Sequence, residues 1–395
     1  MIKRELYLKK IRPFYDKNII KVITGIRRSG KSTLLLQIKT ELINKGINEN
    51  QIIHINLDFF EHGHLRNKDL LYAYIVERLH PKKTYIFIDE IQEVQDFETV
   101  INSLNSFNTV DLYISGSNSK MLSGEYATYL TGRYVSFEIF PFSFKELCDY
   151  YPNDSKEKIF NDYVIYGGFP QVHMFEGDQE KKTLLADLYH SIVVKDITER
   201  HKIRDVSALE KYLLYLNNTV ASLFSAENIN AYFKSENRSL ARETLYNYIK
   251  YAKDAYYIYS APRYDIKGKK LLTTNEKIYV NDQGFRSLFF NNLRDIEKIL
   301  ENIVYFELLR RNYKVYIGTI NDYEIDFIAE KDGKKVYVQV SYLLASEKTI
   351  EREFRPLLLT DDQFPKYVIS LDKIDMSHQG IHHRNIIDFL RQDEL

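Results

Sequence analysis

The chain has 395 residues, 55 Lys+Arg against 55 Asp+Glu, 44% apolar and 14% aromatic residues, and one cysteine, Cys148. Its length exceeds what a single hydrophobic core supports and predicts two or three domains, while its charge balance excludes a chain-wide electrostatic argument for nucleic-acid binding. With no run of about 18 apolar residues, no charged-then-apolar leader, no internal repeat and no second cysteine, a membrane span, a solenoid and an intrachain disulfide are excluded, and a cytoplasmic setting is expected.

The first predicted element is a buried parallel strand over IIKVIT, residues 19–24, and a helix over 31–46 follows, closed by Gly46. Between them lies GIRRSGKS, residues 25–32. Gly25, four residues, then Gly30, Lys31 and Ser32 is the phosphate-loop spacing: glycines let backbone N–H groups turn inward around phosphate oxygens while the lysine reaches the terminal phosphates. The helix that follows adds its own N-terminal N–H groups to such an anion site. Gly25, Ile26, Arg27, Arg28, Ser29, Gly30, Lys31, Ser32 and Thr33 are therefore the expected nucleotide-binding residues, with a ligand-free glycine turn as the alternative.

IIHINL (52–57), YIFIDE (85–90) and DLYISGSN (111–118) read as further strands, with helical stretches near 67–80 and 96–107 as crossovers. This alternation predicts an α/β fold, a parallel sheet with helices on both faces. Asp89 at the end of its strand is expected to hold Mg²⁺ together with the Ser32 hydroxyl, and Glu90 to polarise an attacking water. Taken alone, the two acids also suit the first turn of a helix. Asn118, with Ser117, either senses the terminal phosphate or belongs to a polar turn.

GIRRSGKSTLL, IFIDEIQ, YISGSNSKML, YLTGRYVSFEIFPFSFKEL and YGGFPQV together resemble a bacterial and archaeal family of AAA-type ATPases whose C-terminal region is a domain of unknown function. The resemblance covers essentially the whole chain. It implies a P-loop ATPase core using ATP and Mg²⁺, a winged-helix segment, and a terminal domain similar to restriction-endonuclease folds. In the AAA class an arginine near LTGRY stabilises charge on the transferred phosphoryl group, which makes Arg133 a candidate finger, in its own site or in a neighbouring subunit's; an ordinary surface arginine is the alternative. Action in a neighbouring site requires a homo-oligomer.

Residues 151–222 read as a helical lid or connector in which Gly167, Gly168 and Pro170 stop a helix and Asp196 and Arg200 stand at helical pairing distance. Over 223–282, Ser225 and Ser239 are expected to cap two helices ahead of a basic hairpin, the pattern of a winged helix-turn-helix. Between 234 and 270 nine Lys and Arg face four acids. Arg238, Arg242, Lys250, Lys253, Lys267, Lys269 and Lys270 are the expected contacts to double-stranded DNA; a module that binds a protein partner or another domain is the alternative.

Residues 283–395 contain a helix with acids, then strands over YKVYIG, YEIDFIAE and KKVYVQVS. A helical acid, a strand Asp and a following acid-x-lysine hold metal in nucleases. Asp326 fits the strand acid and Glu301 or Glu307 the helical one, but the last element reads Gln339-Val340-Ser341. Glutamine brings no charge and serine no cation, so a degenerate nuclease-like site of Glu307, Asp326 and Gln339, with no strong cleavage activity, is expected. His382 and His383 read as surface histidines. The sequence thus predicts an AAA-type ATPase core over 1–150, a connector over 151–222, a winged helix over 223–282 and a nuclease-like α/β domain over 283–395.

Overall fold

The structure, a computed structural model, describes residues 2–122, 132–235, 238–290 and 295–394. Tyr129–Thr131 of the YLTGRY stretch and Glu236, one of the four acids counted in the basic segment, lie outside the described residues. Two compact units form: residues up to Pro141 together with Asp254–Tyr256, and Phe142–Lys253 together with Tyr257 onward.

The first unit is built on five strands, β1 (Ile20–Thr24), β2 (Ile52–Asn56), β3 (Thr84–Asp89), β4 (Val110–Gly116) and β5 (Tyr134–Glu138), in the order β2-β3-β4-β1-β5. Every pairing is parallel. β1, β3 and β4 are buried at every position, as expected where helices cover both faces of a sheet. Successive side chains alternate between two cores. Val22, Ile86, Ile88 and Ile114 pack against helices α3 (Lys68–Val76) and α4 (Phe97–Asn105) through Leu71, Ile75, Val100 and Ile101. Ile23, Phe87 and Tyr113 face α1 (Glu5–Ile11) and α2 (Lys31–Asn44) through Tyr7, Leu8, Ile11, Leu34 and Ile38. The predicted strands and crossovers of this unit agree with the observed ones to within a few residues. β1 and β4 are neighbours although the chain visits β2 and β3 between them, so their C-terminal ends flank a crevice of the kind that binds ligands in open α/β sheets.

The second unit joins a helical region to a mixed eight-stranded sheet whose strands lie in the order β13 (Ile381–Asn385), β12 (Lys366–Ser370), β11 (Lys334–Val340), β10 (Tyr323–Lys331), β9 (Lys314–Ile320), β7 (Ile258–Asp265), β8 (Lys270–Val280) and β6 (Ser222–Leu223). Its helix Lys156–Tyr166 ends at Gly167, whose φ of 72° and missing side chain leave room for Asp282. Asp282 accepts the N–H of Gly168 at 2.7 Å and that of Gly284 at 2.8 Å. Burial pushes its carboxyl up to about 6, against the pull of those two N–H groups and of Arg310. Arg200 reaches Asp196 at 3.2 Å as its spacing predicted.

Helices Ala226–Ser235 and Arg242–Asp254 precede a hairpin of β7 (Ile258–Asp265) and β8 (Lys270–Val280). Ser225 caps the first helix by accepting the N–H of Asn228 at 3.2 Å. The second begins at Arg242 and not directly after Ser239, because the Arg238 N–H first closes the preceding helix on the Phe233 carbonyl. β7 pairs in parallel with β9 (Lys314–Ile320), which continues through β10 (Tyr323–Lys331) and β11 (Lys334–Val340) as an antiparallel meander. The hairpin and the terminal strands therefore share one sheet. His383 corrects the surface reading: it is buried, its Nε2 lies 2.9 Å from Ser370 Oγ, and burial lowers its proton affinity. Its neighbour His382 is exposed, because successive residues of a strand point to opposite faces.

Candidate nucleotide site and a second lysine-carboxylate cluster

The loop leaving β1 has the shape its glycines allow. Gly25 has φ 141°, and a Cβ there would stand 2.2 Å from the Ile139 carbonyl oxygen; Gly30 has φ 103° and starts α2. Arg28 also takes a positive φ, 66°, and is exposed, whereas Ser29 is fully buried. Lys31 lies in the first turn of α2, nearly buried, and its Nζ donates to the Gly25 and Ile26 carbonyls at 3.1 Å each. The bonds are to the loop itself, so the ammonium stays over the loop's open side. Ser32 and Thr33 belong to the same helical turn.

Parallel register brings β3 alongside: Ile88 pairs with Ile114 and Asn56 with Asp89. Asp89 accepts from Asn56 Nδ2 at 3.1 Å and from the Ser115 hydroxyl, and Ser32 also donates to it. Burial, then the adjacent Glu90 charge, raise its carboxyl above the ordinary value despite these donors. Glu90 is held at φ 56°, a conformation that costs a side-chain-bearing residue about 1 kcal/mol and is common at functional sites. Burial pushes Glu90 up too, but Lys31 at 3.9 Å, Gln92, Arg27 and Ser117 outweigh it and hold Glu90 below its ordinary value. The site therefore contains an ionised Glu90 beside a buried Asp89 whose charge is under-compensated. Hard oxygens from Ser32 and Asp89 at that point fit a magnesium ion.

Asn118 follows β4, whose Gly116 pairs with Thr24, so it stands half-buried next to the start of the phosphate loop. Arg27 lies 3.8 Å from Asp58. The own-site alternative for Arg133 is corrected: Arg133 precedes β5, Ile20 pairs with Tyr134, and the Arg133 carbonyl accepts the Ile20 N–H at 2.9 Å. That is the strand-entry edge, about 16 Å from the loop at 3.3 Å per residue. Arg133 is exposed there and does not serve its own chain's site.

Sequence reading missed Arg4. It is 1% exposed at the start of α1, and its guanidinium donates to the Ser29 carbonyl at 2.8 Å and the Phe140 carbonyl at 2.8 Å. Stacked 4.8 Å over the Tyr7 ring, it braces the phosphate loop from behind. Its one signal is an arginine in an otherwise apolar amphipathic helix face.

In the second unit the basic residues divide into two groups. Lys250, Lys267, Lys269 and Lys270 are exposed, the last three at the hairpin tip, and Arg238 is exposed beside Ser207 at 3.2 Å. Arg242 is paired with Glu227, and Lys253 with Glu276 at 2.8 Å. The local positive excess is thus smaller in space than in sequence.

Glu307 is corrected as the helical acid of the nuclease-like site. On helix Ile296–Arg310 it faces Arg311 at 2.8 Å and Arg310 at 3.7 Å, while Glu301, six residues earlier and on another face, is on the side of Asp326. Between Glu301 and Asp326 stands Lys277 of β8, which no spacing rule pointed to. Its Nζ lies 2.9 Å from Glu301, 2.7 Å from Glu324 and 3.7 Å from Asp326. Gln339 is consumed locally, accepting the Asp326 N–H at 3.2 Å and donating to Glu353 at 2.9 Å.

Residues 17–148 match the family described as "AAA domain", and residues 157–295 match "Domain of unknown function (DUF8612)". An uncharacterised protein of Haemophilus influenzae is 37% identical over 401 residues, covering 99% of each chain. An uncharacterised protein of Methanocaldococcus jannaschii is 33% identical over 373 residues, covering 90% of this chain and 80% of its own. The solved structure of the Aeropyrum pernix ORC1 protein in complex with DNA aligns with 73% of this chain and 92% of its own at 11% identity and a TM-score of 0.33. Among the described residues no helix is long and apolar enough to cross a membrane.

Proposed function

This chain belongs to a family of AAA-domain proteins in which a domain of unknown function follows the AAA core, and from that premise we propose that it is a magnesium-dependent ATPase whose turnover changes the state of a DNA- or partner-binding C-terminal region. One observation carries the reading: Lys31, Ser32, Asp89 and Glu90 lie together at the C-terminal ends of β1 and β3, with Ser32 donating to Asp89, Lys31 donating to two loop carbonyls and Lys31 3.9 Å from Glu90.

Backbone N–H groups of residues 25–33 and the Lys31 ammonium hold the β- and γ-phosphates. Ser32 and Asp89 hold Mg²⁺, which when bound neutralises charge on the phosphoryl oxygens. Glu90 accepts a hydrogen bond from the attacking water and orients it in line with the bond to ADP. Asn118 donates to the terminal phosphate. Water adds to the γ-phosphorus as ADP leaves. A neighbouring copy's Arg133 completes the site if the protein assembles into an oligomer.

The test is ATP turnover by purified protein with Mg²⁺. Wild type releases phosphate, Lys31→Ala neither binds nor turns over, and Glu90→Gln binds ATP while turning over roughly 10²–10⁴-fold more slowly. Tight binding by wild type without phosphate release overturns the enzyme reading in favour of a switch.

The exposed hairpin-tip lysines favour a second reading, a nucleotide-dependent DNA-binding switch that hydrolyses slowly. Duplex binding then weakens with salt, and replacing Lys267, Lys269 and Lys270 by alanine lowers the salt slope by about 3. No binding at low salt ends that reading.

A further inference from the structure

We propose that Lys277 is the resident cation of the Glu301–Glu324–Asp326 cluster: its tethered ammonium takes the position in which these carboxylates would gather a divalent metal, so the site is closed to metal in the wild-type protein. The inference is independent of the ATPase reading.

The geometry is that of a filled site. Lys277 comes from β8, Glu301 from helix Ile296–Arg310, and Glu324 and Asp326 from β10, so four side chains on three elements aim at one point. The ammonium is within 2.7 to 3.7 Å of all three acids, and its own side chain is 7% exposed. Two of these acids have further donors. Glu301 Oε1 accepts a second hydrogen bond from Tyr279 OH at 2.7 Å, and Asp326 Oδ2 accepts the Val340 N–H at 2.9 Å.

Lys277 is not free to swing aside. It pairs with Ala261 in the β7–β8 ladder and with Leu223 on its other side, on the strand next to the sheet's edge, so its backbone is held from both sides. A metal has to displace a cation that pays no association entropy, and has to contract donors set at ammonium distances to about 2.0–2.1 Å for magnesium. Burial disfavours the ammonium, yet the surrounding carboxylates more than reverse this and raise its proton affinity above that of ordinary lysine. Glu301 and Asp326 shift upward themselves, chiefly through burial, as groups short of positive charge do. The lysine that QVS lacks in sequence is thus present in space, but bonded to the acids.

Thermal unfolding of the full, nucleotide-free chain, with and without millimolar Mn²⁺, tests this. Wild type and Asp326→Asn are expected to respond identically to Mn²⁺. Lys277→Met is expected to gain several degrees with Mn²⁺, and Lys277→Met/Asp326→Asn to lose that gain. A wild-type response that Asp326→Asn removes overturns the proposal, since metal then enters beside the lysine. A folded Lys277→Met that ignores Mn²⁺ overturns it as well. If Lys277→Met does not fold, Lys277→Gln replaces it, and the wild-type comparison decides by itself.

Discussion

Among the buried lysines that lie near carboxylates, Lys31 of the first unit and Lys277 of the second keep opposite company. Lys31 donates to two carbonyls of its own loop and stands 3.9 Å from Glu90, whereas Lys277 is in direct contact with Glu301 and Glu324 at 2.9 and 2.7 Å. Asp89 has neutral hydroxyl and amide donors, while Asp326 has an ammonium beside it, and burial raises both carboxyls. A buried lysine and its acids make a ligand site only when their charges are kept from satisfying one another. At the phosphate loop the backbone does this, because the Gly25 and Ile26 carbonyls take the lysine's hydrogen bonds. In the terminal sheet the strands aim lysine and acids at the same point.

The widest separation comes from the same substitution at both lysines. Lys31→Met is expected to cut ATP turnover roughly a hundredfold or more and change unfolding free energy by less than about 0.5 kcal/mol. Lys277→Met is expected to do the reverse: turnover at 20 °C unchanged, stability lower by about 3 kcal/mol at pH 8. At pH 5 the loss shrinks, because the stranded carboxyls take up protons. Chemical denaturation and phosphate release on both variants check this, and a strongly destabilised Lys31→Met breaks the comparison.

How much of this was legible in the sequence follows from the range of each contact. Gly25, Gly30, Lys31 and the Asp89-Glu90 strand end were readable because local spacing and hydrophobic pattern specify a loop between strand and helix. Arg4 was not, since the carbonyl it braces at Phe140 is 136 residues away. Lys277 and Asp326 meet only because two hairpins join one sheet, which no local pattern encodes. The own-site alternative for Arg133 failed for another reason: motif proximity says nothing about which end of a sheet a residue occupies, and the parallel register puts it at the far one. Glu307 failed on helix phase, since six residues carry a side chain to a different face from Glu301.

Arg4 gives a sharper and smaller test of the claim that the loop's backbone keeps Lys31 available. Arg4→Lys preserves the charge but cannot span the Ser29 and Phe140 carbonyls, which are reached by two separate guanidinium nitrogens. The KM for ATP is expected to rise about tenfold with kcat falling less, and unfolding free energy to drop by about 1–2 kcal/mol for the carbonyl left unpaired. Were Arg4 merely part of the core, stability would fall and KM would not move.

The smallest effect concerns another buried acid, Asp282, which accepts two backbone N–H groups. Burial raises its native carboxyl to about 6 from the ordinary 3.8, so between those pH values the folded state holds a proton that the unfolded chain has released. The resulting stabilisation is complete below pH 3.8 and disappears as pH rises through 6. Between pH 5 and 7 this amounts to about 1 kcal/mol. Asp282→Asn cannot titrate, so its unfolding free energy is expected to lack that slope while being lower throughout, since the amide nitrogen cannot accept the second N–H. Urea melts at several pH values measure the difference. Equal slopes in the two proteins would mean that Arg310 keeps Asp282 ionised after all, which would make it a third lysine-like pairing in place of a carboxyl held by dipoles alone.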